Sequence, residues 1–272
     1  MRRKKAIVLP AWLGSGRMNP QADLINATED EQFELVYQPA IDLAGDGILG
    51  WEALVRWHHP VRGVVSPADF IPAAEKTGAI LTIGEWILNR ACEDFAEVLS
   101  LGESVQWVSV NISTQELEQL DFADTVRHAL NQSGVEPSSL VLEITEAAVV
   151  GSVATTADAL ASLRRDGVRI ALDNFGSVSS SLDHLEQLPV DILKIDRTVT
   201  TMSGVEQAGM LEAIVALGEK LGLDMIAEGI EESSELERIR GFEGVVGQGY
   251  FLARPMSLDD ARTFTFNSLP AR

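Results

Sequence analysis

Short apolar runs alternate with longer amphipathic segments along the chain from residue 30 onward. Eight of these runs are rich in β-branched residues, and several are apolar almost throughout. That pattern is typical of strands buried on both faces of a parallel sheet. We predict strands at 33–39, 50–57, 105–113, 140–145, 168–173, 191–196, 223–228 and 244–251.

Helical patterns separate most of the predicted strands. Ser66 can cap one helix, with Pro67 at its first position. The other helices are predicted at 81–99, 121–132, 156–165, 180–188, 209–221 and 233–240. Several of them end at a glycine or a proline, which are common helix stops. Eight strands with intervening helices predict an α/β fold, a TIM-like (β/α)₈ barrel, with a doubly wound open sheet as the alternative.

Polar residues occur within or at the ends of these apolar runs. They are Glu52, Asn111, Glu143, Asp173, Lys194, Glu228 and Gln248, and after the first gap their spacings are 32, 30, 21, 34 and 20 residues. These spacings are the length of one strand–helix unit or slightly more. A single such residue is compatible with an ordinary strand end. In a barrel the whole set would converge at the C-terminal mouth, where active sites are built.

Charge defines what such a site could bind. The chain has 272 residues, with 41 acidic and 21 basic ones, so its net charge of −20 argues against a nucleic-acid polymer or an anionic membrane as partner.

Four converging carboxylates need more compensation than one lysine supplies. Oxygen donors without Cys or His favour Mg²⁺, Mn²⁺ or Ca²⁺ over Zn²⁺. With Mg²⁺ or Mn²⁺, a lysine and an arginine, the set suits hydrolysis of a phosphate ester. Arg56 shares a strand face with Glu52 and is a candidate phosphate ligand.

The first residues differ in charge from the rest. Residues 1–17 contain five basic residues and no acidic one. We expect 1–27 to form a basic, flexible leader and 28–272 to form the barrel domain. The apolar run after Lys5 is short and broken by Pro10, so it is a poor signal peptide, and no stretch approaches the ~20 apolar residues of a membrane helix.

Cys92, the single cysteine, excludes an intrachain disulfide and fits a cytoplasmic location.

An ordered set of motifs resembles the EAL domains, the bacterial cyclic-di-GMP phosphodiesterases. The resemblance covers about residues 33–264 and is specific because many motifs match in order. Besides Glu52-Ala53-Leu54, the matching motifs are Tyr37-Gln38-Pro39, His59-Pro60, Phe70-Ile71-Pro72, Val110-Asn111-Ile112-Ser113, Leu142-Glu143-Ile144-Thr145-Glu146, Leu193-Lys194-Ile195-Asp196-Arg197, Ala227-Glu228-Gly229-Ile230-Glu231 and Gln248-Gly249-Tyr250.

The resemblance implies a TIM-like barrel whose first strand runs antiparallel to the rest. It implies cleavage of cyclic-di-GMP to linear pGpG by a water bound to Mg²⁺ or Mn²⁺. The implied metal ligands are Glu52, Asn111, Glu143, Asp173, Asn174 (at a weakened second site) and Glu228. Lys194 resembles the residue that holds the attacking water. The catalytic residues that the resemblance implies are Glu52, Lys194 and Glu228. Gln38, Arg56 and Gln248 match substrate-contacting positions, and Glu146 matches a loop-anchoring glutamate.

The loop after the predicted strand 168–173 departs from the family's pattern. The family has Asp-Asp-Phe-Gly-Thr/Ala-Gly-Tyr-Ser-Ser, whereas this chain has Asp173-Asn174-Phe175-Gly176-Ser177-Val178-Ser179-Ser180-Ser181. Asn174 replaces a carboxylate, so we expect weaker binding of a second metal. In the family this loop couples metal binding to dimerisation, which leaves a homodimer as an open expectation.

Three hypotheses therefore remain open. The first is a metal-dependent phosphodiesterase, with activity reduced by Asn174 and the altered loop 174–181. The second is a catalytically impaired cyclic-di-GMP receptor or protein-interaction module. The third is a barrel that binds no nucleotide. The other expected metal ligands and Lys194 are all present, and this favours the first hypothesis.

Overall fold

The strands form one hydrogen-bonded sheet that closes on itself. The computed structural model describes residues 20–45, 47–100, 105–145, 148, 154–176, 189–201 and 205–264. Within these ranges the strands are β1 (Phe33–Asp42), β2 (Ile48–His59), β3 (Gly63–Val65), β4 (Trp107–Asn111), β5 (Leu140–Thr145), β6 (Arg169–Phe175), β7 (Ile192–Ile195), β8 (Asp224–Ala227) and β9 (Val245–Gly247). Their order is β1-β9-β8-β7-β6-β5-β4-β2-β3, and pairing of β1 with β2 closes the barrel.

Strand β1 runs against the direction of the rest of the barrel. It pairs antiparallel with β2 on one side and with β9 on the other. The remaining barrel pairs, from β2–β4 round to β8–β9, are parallel. The short β3 joins β2 as an outer hairpin. This closed α/β barrel confirms the predicted (β/α)₈ fold with an antiparallel first strand, and it excludes the open doubly wound sheet.

Helices cover the outside of the barrel. They are α1 (Pro20–Glu29), α2 (Pro67–Thr77), α3 (Ile80–Ser100), α4 (Thr114–Leu117), α5 (Phe122–Ser133), α6 (Ala154–Asp166), α7 (Arg197–Thr200), α8 (Val205–Leu221), α9 (Ser233–Ile239) and α10 (Leu258–Thr263). Ser66 is the N-cap residue of α2 and Pro67 its first residue, as predicted, but the Ser66 side chain makes no capping hydrogen bond; Gly78, with φ +78°, ends the helix. The main hydrophobic core lies between these helices and the outer face of the barrel. Among the described helices, none combines the length and the apolar character needed to cross a membrane.

The inside of the barrel is built in two layers. The lower layer is a separate apolar cluster made of Ala40, Trp107, Val141, Ala171, Ile192 and Ile226, with Val246 packed against it. On β1 and on β5 to β9, the residue two positions nearer the mouth lies in the strand or directly after it, and these residues form an upper layer of Gln38, Glu143, Asp173, Lys194, Glu228 and Gln248. Glu52 joins this layer from β2, where the position below it is Gly50. Side chains two residues apart on a strand point to the same face. The predicted polar positions therefore share the barrel interior.

Helix α1 crosses the predicted boundary between leader and domain. Leu24 and Ala27 are fully buried, and the helix packs on α2 and α3. Burial of these apolar side chains stabilises the helix against the domain. Pro20–Glu29 therefore belongs with the barrel, ahead of the predicted start at residue 28. Residues 1–19 of the predicted leader lie outside the described residues, as does the predicted helix 180–188.

The predicted strand 244–251 is shorter than expected. Strand β9 ends at Gly247, and the chain then turns at Gly249. Gly249 lies so close to the Ile230 backbone that a Cβ there would be 2.2 Å from the Ile230 carbonyl oxygen. Only glycine permits this approach, so the strand ends before Gly249, and Gln248 follows the last residue of β9 directly.

Candidate active site

One lysine lies among four carboxylates in the upper layer. Lys194 on β7 is 1% exposed, and its Nζ lies 2.5 Å from Glu143 Oε2 and 2.7 Å from Glu228 Oε1. The same Nζ lies 3.4 Å from Glu52 Oε2 and 3.9 Å from Asp173 Oδ1. The strand register brings these groups, from β2, β5, β6 and the end of β8, to one level of the barrel. One positive charge therefore faces four acidic groups.

Among the four carboxylates around Lys194, Glu52 accepts hydrogen bonds from the most residues. Asn111 Nδ2 donates to Oε1 (2.9 Å), and Gln248 Nε2 donates to Oε2 (2.7 Å). Burial pushes the pKa of Glu52 upward, but the charge of Lys194 and the donated hydrogen bonds outweigh it, so the pKa is lowered. Glu52 is therefore ionised at neutral pH.

The other three carboxylates have raised pKa values. Burial, followed by the charge of Glu52, raises the pKa of Glu143 well above its ordinary value despite the Lys194 ammonium. Burial also raises the pKa of Asp173, and it raises that of Glu228 to about 7, again against the effect of Lys194. Burial opposes the charge on Lys194, but the carboxylates raise its pKa well above normal. The cluster thus carries more acidic groups than its lysine compensates.

Asn174 is the departure from the family pattern that falls within the described residues, since Val178 and Ser179 lie outside them, and its side chain is turned toward Asp173. Its backbone N donates to Asp173 Oδ1 (2.9 Å), and its side-chain Nδ2 donates to Asp173 Oδ2 (2.5 Å). Asn174 has φ +59°, in the left-handed region that asparagine enters more readily than most side chains. Its amide therefore orients Asp173 at the end of β6.

The predicted substrate contacts differ in their surroundings. Gln38 is buried and donates from Nε2 to the Ala253 carbonyl (3.1 Å), tying β1 to the segment after β9. Arg56 is half-buried on β2, and its Nη1 donates to the Val55 carbonyl (2.9 Å). Gln248 lies in the carboxylate cluster against Glu52. Glu146 and positions 177–188 lie outside the described residues, so the loop-anchoring role stays a prediction.

A cavity of about 510 Å³ opens beside Glu52 and Asn111. It runs between β2 and helices α2 and α3, and most of its lining is apolar, including Leu54, Ile71 and Ile87. Pockets of this size and character hold small-molecule ligands. The carboxylate cluster therefore borders a space of the size and character that small-molecule ligands occupy.

Sequence reasoning missed a capping box directly after Asn111. Ser113 N and Ser113 Oγ both donate to Glu116 Oε2 (2.9 and 2.6 Å), and Glu116 N donates back to Ser113 Oγ (3.3 Å). Burial raises the pKa of Glu116 to about 7. The Ser-x-x-Glu spacing is a readable signal for this box. The box begins α4 two residues after Asn111 and so fixes where β4 ends.

The donor set fits a divalent cation by its chemistry. Glu52, Asn111, Glu143, Asp173 and Glu228 offer hard oxygen ligands, and the excess of acidic groups favours a doubly charged ion. As placed, the four carboxylates face Lys194, and among the described residues no three His, Cys, Asp or Glu side chains are arranged to hold a metal. A cation would thus compete with the lysine for these oxygens.

Comparison with known proteins gives one family. A family model described as "EAL domain" matches residues 21–255. Over 256 residues the chain is 37% identical to a Pseudomonas aeruginosa protein named cyclic di-GMP phosphodiesterase NbdA, covering 92% of this chain and 33% of that protein. Over 236 residues it is 39% identical to the bifunctional diguanylate cyclase/cyclic di-GMP phosphodiesterase MucR of the same species, covering 86% and 34%. The chain spans about a third of the length of these curated relatives.

Solved structures share the fold. A structure described as a PaMucR phosphodiesterase in complex with c-di-GMP has a TM-score of 0.84 at 37% identity, covering 90% of this chain and 100% of that one. The EAL domain of FimX from Pseudomonas aeruginosa, bound to c-di-GMP, has a TM-score of 0.78 at 26% identity, covering 88% and 97%. The barrel thus has close counterparts that are complexed with this nucleotide.

Proposed function

The chain belongs to the EAL domain family, and from this premise we propose that it is a metal-dependent phosphodiesterase that hydrolyses cyclic-di-GMP to linear pGpG. One observation carries the proposal, namely the Lys194 ammonium within 4 Å of four carboxylates in the upper layer. Relatives named as cyclic di-GMP phosphodiesterases support the choice of substrate.

We assign the cation to the oxygen donors of the cluster. Glu52, Asn111, Glu143, Asp173 and Glu228 would hold Mg²⁺ or Mn²⁺, with Asn174 at a weaker second position. A bound divalent cation offsets charge on phosphoryl oxygens and lowers the pKa of water. The asparagine at position 174 contributes no negative charge, so occupancy of the second position is expected to need more metal.

Three residues of the chain are the proposed catalytic residues. Lys194 keeps its positive charge and can donate hydrogen bonds to the attacking water or to a phosphoryl oxygen. Glu228 Oε1 lies 2.7 Å from Lys194 Nζ; without a cation its pKa is about 7, and a bound cation would favour its ionised form, which can accept a hydrogen bond from the attacking water. Glu52 stays ionised, because the charge of Lys194 and the hydrogen bonds from Asn111 and Gln248 outweigh the effect of burial on its pKa.

Substrate recognition is assigned to the edges of the cluster. The cavity beside Glu52 would take a base of the dinucleotide against its apolar lining. Arg56 can bind a phosphate oxygen through its guanidinium, which suits planar oxyanions. Gln38 is the second proposed contact. Gln248 matches a substrate-contacting position too, but its Nε2 already donates to Glu52.

One observation favours a second candidate, a cyclic-di-GMP receptor with little turnover. Asn174 stands where the family has a carboxylate, and its amide is bonded to Asp173. If the second metal position is essential for hydrolysis, binding would survive without the reaction. This candidate shares the fold and the nucleotide with the enzyme and differs only in turnover.

The test is incubation of the purified chain with cyclic-di-GMP and Mg²⁺ or Mn²⁺, followed by chromatography for pGpG. We expect metal-dependent product, and none with Glu52→Gln. Absence of product at high protein concentration, with tight nucleotide binding in calorimetry, would identify the receptor. Absence of both product and binding heat would identify a barrel that binds no nucleotide.

Location and assembly belong to the same proposal. We place the chain in the cytoplasm, where the buried thiol of Cys92 would stay reduced. A homodimer is tested by sedimentation with and without Mn²⁺, because in this family metal binding and dimerisation are coupled through the loop after β6.

A further inference from the structure

Both oxygens of the Glu52 carboxylate are occupied by side-chain amides. Asn111 Nδ2 donates to Oε1 at 2.9 Å, and Gln248 Nε2 donates to Oε2 at 2.7 Å. Glu52 is 9% exposed and Gln248 is 4% exposed, so water competes little for these bonds. Hydrogen bonds to an ionised acceptor are among the stronger ones in proteins. The two amides therefore define the plane in which the carboxylate lies.

Gln248 is held in place by its own backbone. Its N–H donates to the Ala227 carbonyl at the end of β8 (2.9 Å), and its carbonyl accepts from Ile230 N (3.1 Å). The following Gly249 packs directly on the Ile230 backbone. With both backbone groups bonded, the side chain leaves β9 from a fixed point. The Gln248 side chain, which is 4% exposed, therefore donates to Glu52 from an anchored backbone.

Gln38 provides an internal comparison. It is also a buried glutamine of the upper layer, and it lies directly opposite Glu52 in the β1–β2 register. Its Nε2 nevertheless donates to the Ala253 carbonyl rather than to the carboxylate. Two glutamines that both match substrate-contacting positions therefore make different bonds, and only the Gln248 bond reaches a proposed metal ligand.

We propose that Gln248 is a positioning residue that holds Glu52 in the orientation needed to bind a divalent cation. Asn111 fixes one oxygen, which leaves its own Oδ1 for the cation, and Gln248 fixes the other. Groups that orient a metal ligand in this way usually change metal affinity by about 10- to 100-fold when removed. The effect on turnover rests on the proposed phosphodiesterase function, whereas the effect on metal affinity does not.

The test compares Gln248→Met with Gln38→Met. Methionine keeps the length and volume of glutamine and removes the donor. Calorimetry of the nucleotide-free protein with Mn²⁺ measures metal affinity, and a second titration measures cyclic-di-GMP affinity. We expect Gln248→Met to weaken Mn²⁺ binding about tenfold. Gln38→Met should leave Mn²⁺ binding unchanged and act only on the nucleotide.

A double substitution separates positioning from a general loss of structure. In a Glu52→Ala background, Gln248→Met should cause no further loss of Mn²⁺ affinity, because the group that it positions is gone. If Gln248→Met does not fold, as judged by thermal melting, Gln248→Asn serves instead, since it keeps the amide but is one methylene too short to make the bond.

Unchanged Mn²⁺ affinity in Gln248→Met, with weaker nucleotide binding, would overturn the proposal and make Gln248 a substrate contact. Absence of Mn²⁺ binding by the wild type would overturn it as well. If the wild type binds Mn²⁺ but makes no pGpG, the proposed function fails, while the difference in Mn²⁺ affinity between the two methionine variants still decides the role of Gln248.

Discussion

The two layers inside the barrel lie two residues apart on the same strands, yet their chemistry is opposite. Val141 and Ala171 belong to the apolar lower layer, and Glu143 and Asp173 follow them in the upper layer. Two residues of strand span roughly 7 Å. The same strands thus carry an apolar cluster and, one inward-facing position further along, a charged cluster. On β5 and β6 the residues that stabilise the fold and the proposed catalytic residues are therefore successive inward-facing positions.

The two layers also differ in what they do to folding. The lower layer buries apolar surface, which favours the folded state. The upper layer buries acidic groups, and the raised pKa values of Glu143, Asp173 and Glu228 show that the folded state opposes their charge. We therefore expect substitutions in the upper layer to lower turnover without destabilising the fold, and those in the lower layer to destabilise it.

The largest expected effect is that of Glu52→Ala in the upper layer. This change removes the one carboxylate whose charge is stabilised by Lys194, Asn111 and Gln248. We expect turnover of cyclic-di-GMP to fall by at least about 10³-fold, the scale seen when a central catalytic group is lost. Thermal melting should show a folded protein. Retained turnover would remove Glu52 from the mechanism and break the division between the layers.

The next effect is that of Gly50→Ala, two residues before Glu52 on β2. A Cβ at this position would lie 2.1 Å from the Trp107 ring in the lower layer. The ring is closely packed, so we expect a loss of about 3 kcal/mol in the free energy of unfolding, at the upper end for overpacked cores. Chemical denaturation measures this loss.

A matched control is Gly47→Ala, where an added Cβ meets nothing within 4 Å. Its stability should stay within about 0.5 kcal/mol of wild type. Turnover per folded molecule should fall far less in Gly50→Ala than in Glu52→Ala. A larger loss of activity than of stability in Gly50→Ala would show that the layers are not independent.

Much of this layered barrel is readable from the sequence. Each inward polar residue falls within a strand or directly after one, and the spacings of one strand–helix unit predict a barrel, with the open doubly wound sheet as the alternative. The direction of β1 is not readable from its pattern, because alternation looks the same in either direction; here it came from the family resemblance. Helix α1 was also missed, since among its residues with described burial, 23–29, only Leu24 and Ala27 are fully buried.

The bonds within the site are less accessible to sequence reasoning. The hydrogen bond between Gln248 and Glu52 joins residues 196 positions apart. It depends on how β9 and β2 are brought together by β1, and no local pattern encodes this. The Ser113–Glu116 capping box is local and could have been found from its spacing. Long-range side-chain pairing is therefore the main part of the site that only the structure supplies.

The pH dependence of the free energy of unfolding, compared between wild type and Glu228→Gln, tests whether the upper layer opposes the charge on Glu228. The pKa of Glu228 rises from 4.5 to about 7 on folding, so the folded state binds the proton more tightly. Below about pH 4 the carboxyl is protonated in both states and costs nothing. Between pH 4.5 and about 7 the unfolded chain has released this proton while the folded state still holds it, so stability falls across this range by on the order of 3 kcal/mol and changes no further at higher pH.

Glutamine cannot titrate, so the variant should lack this loss. We expect Glu228→Gln to gain stability relative to wild type between about pH 4 and about pH 8, by up to the same order of magnitude. Denaturation at both pH values measures it. A constant difference between variant and wild type across this range would mean that the upper layer does not oppose the charge on Glu228.

The smallest expected effect is that of Asn174→Asp, which restores the acid that the family pattern has at this position. Aspartate tolerates the left-handed backbone, φ +59°, nearly as well as asparagine does, so the fold should be unaffected. If weak binding of a second cation limits the rate, turnover should rise and the Mn²⁺ concentration for half-maximal activity should fall, by roughly two- to tenfold. Asn174→Gly is the control, because glycine keeps the backbone conformation and removes the amide that donates to Asp173. A gain in turnover in both variants would mean that the hydrogen bond from the Asn174 side-chain amide restrains Asp173. An unchanged Asn174→Asp, beside an inactive Glu52→Ala, would show that the upper layer needs no charge at position 174.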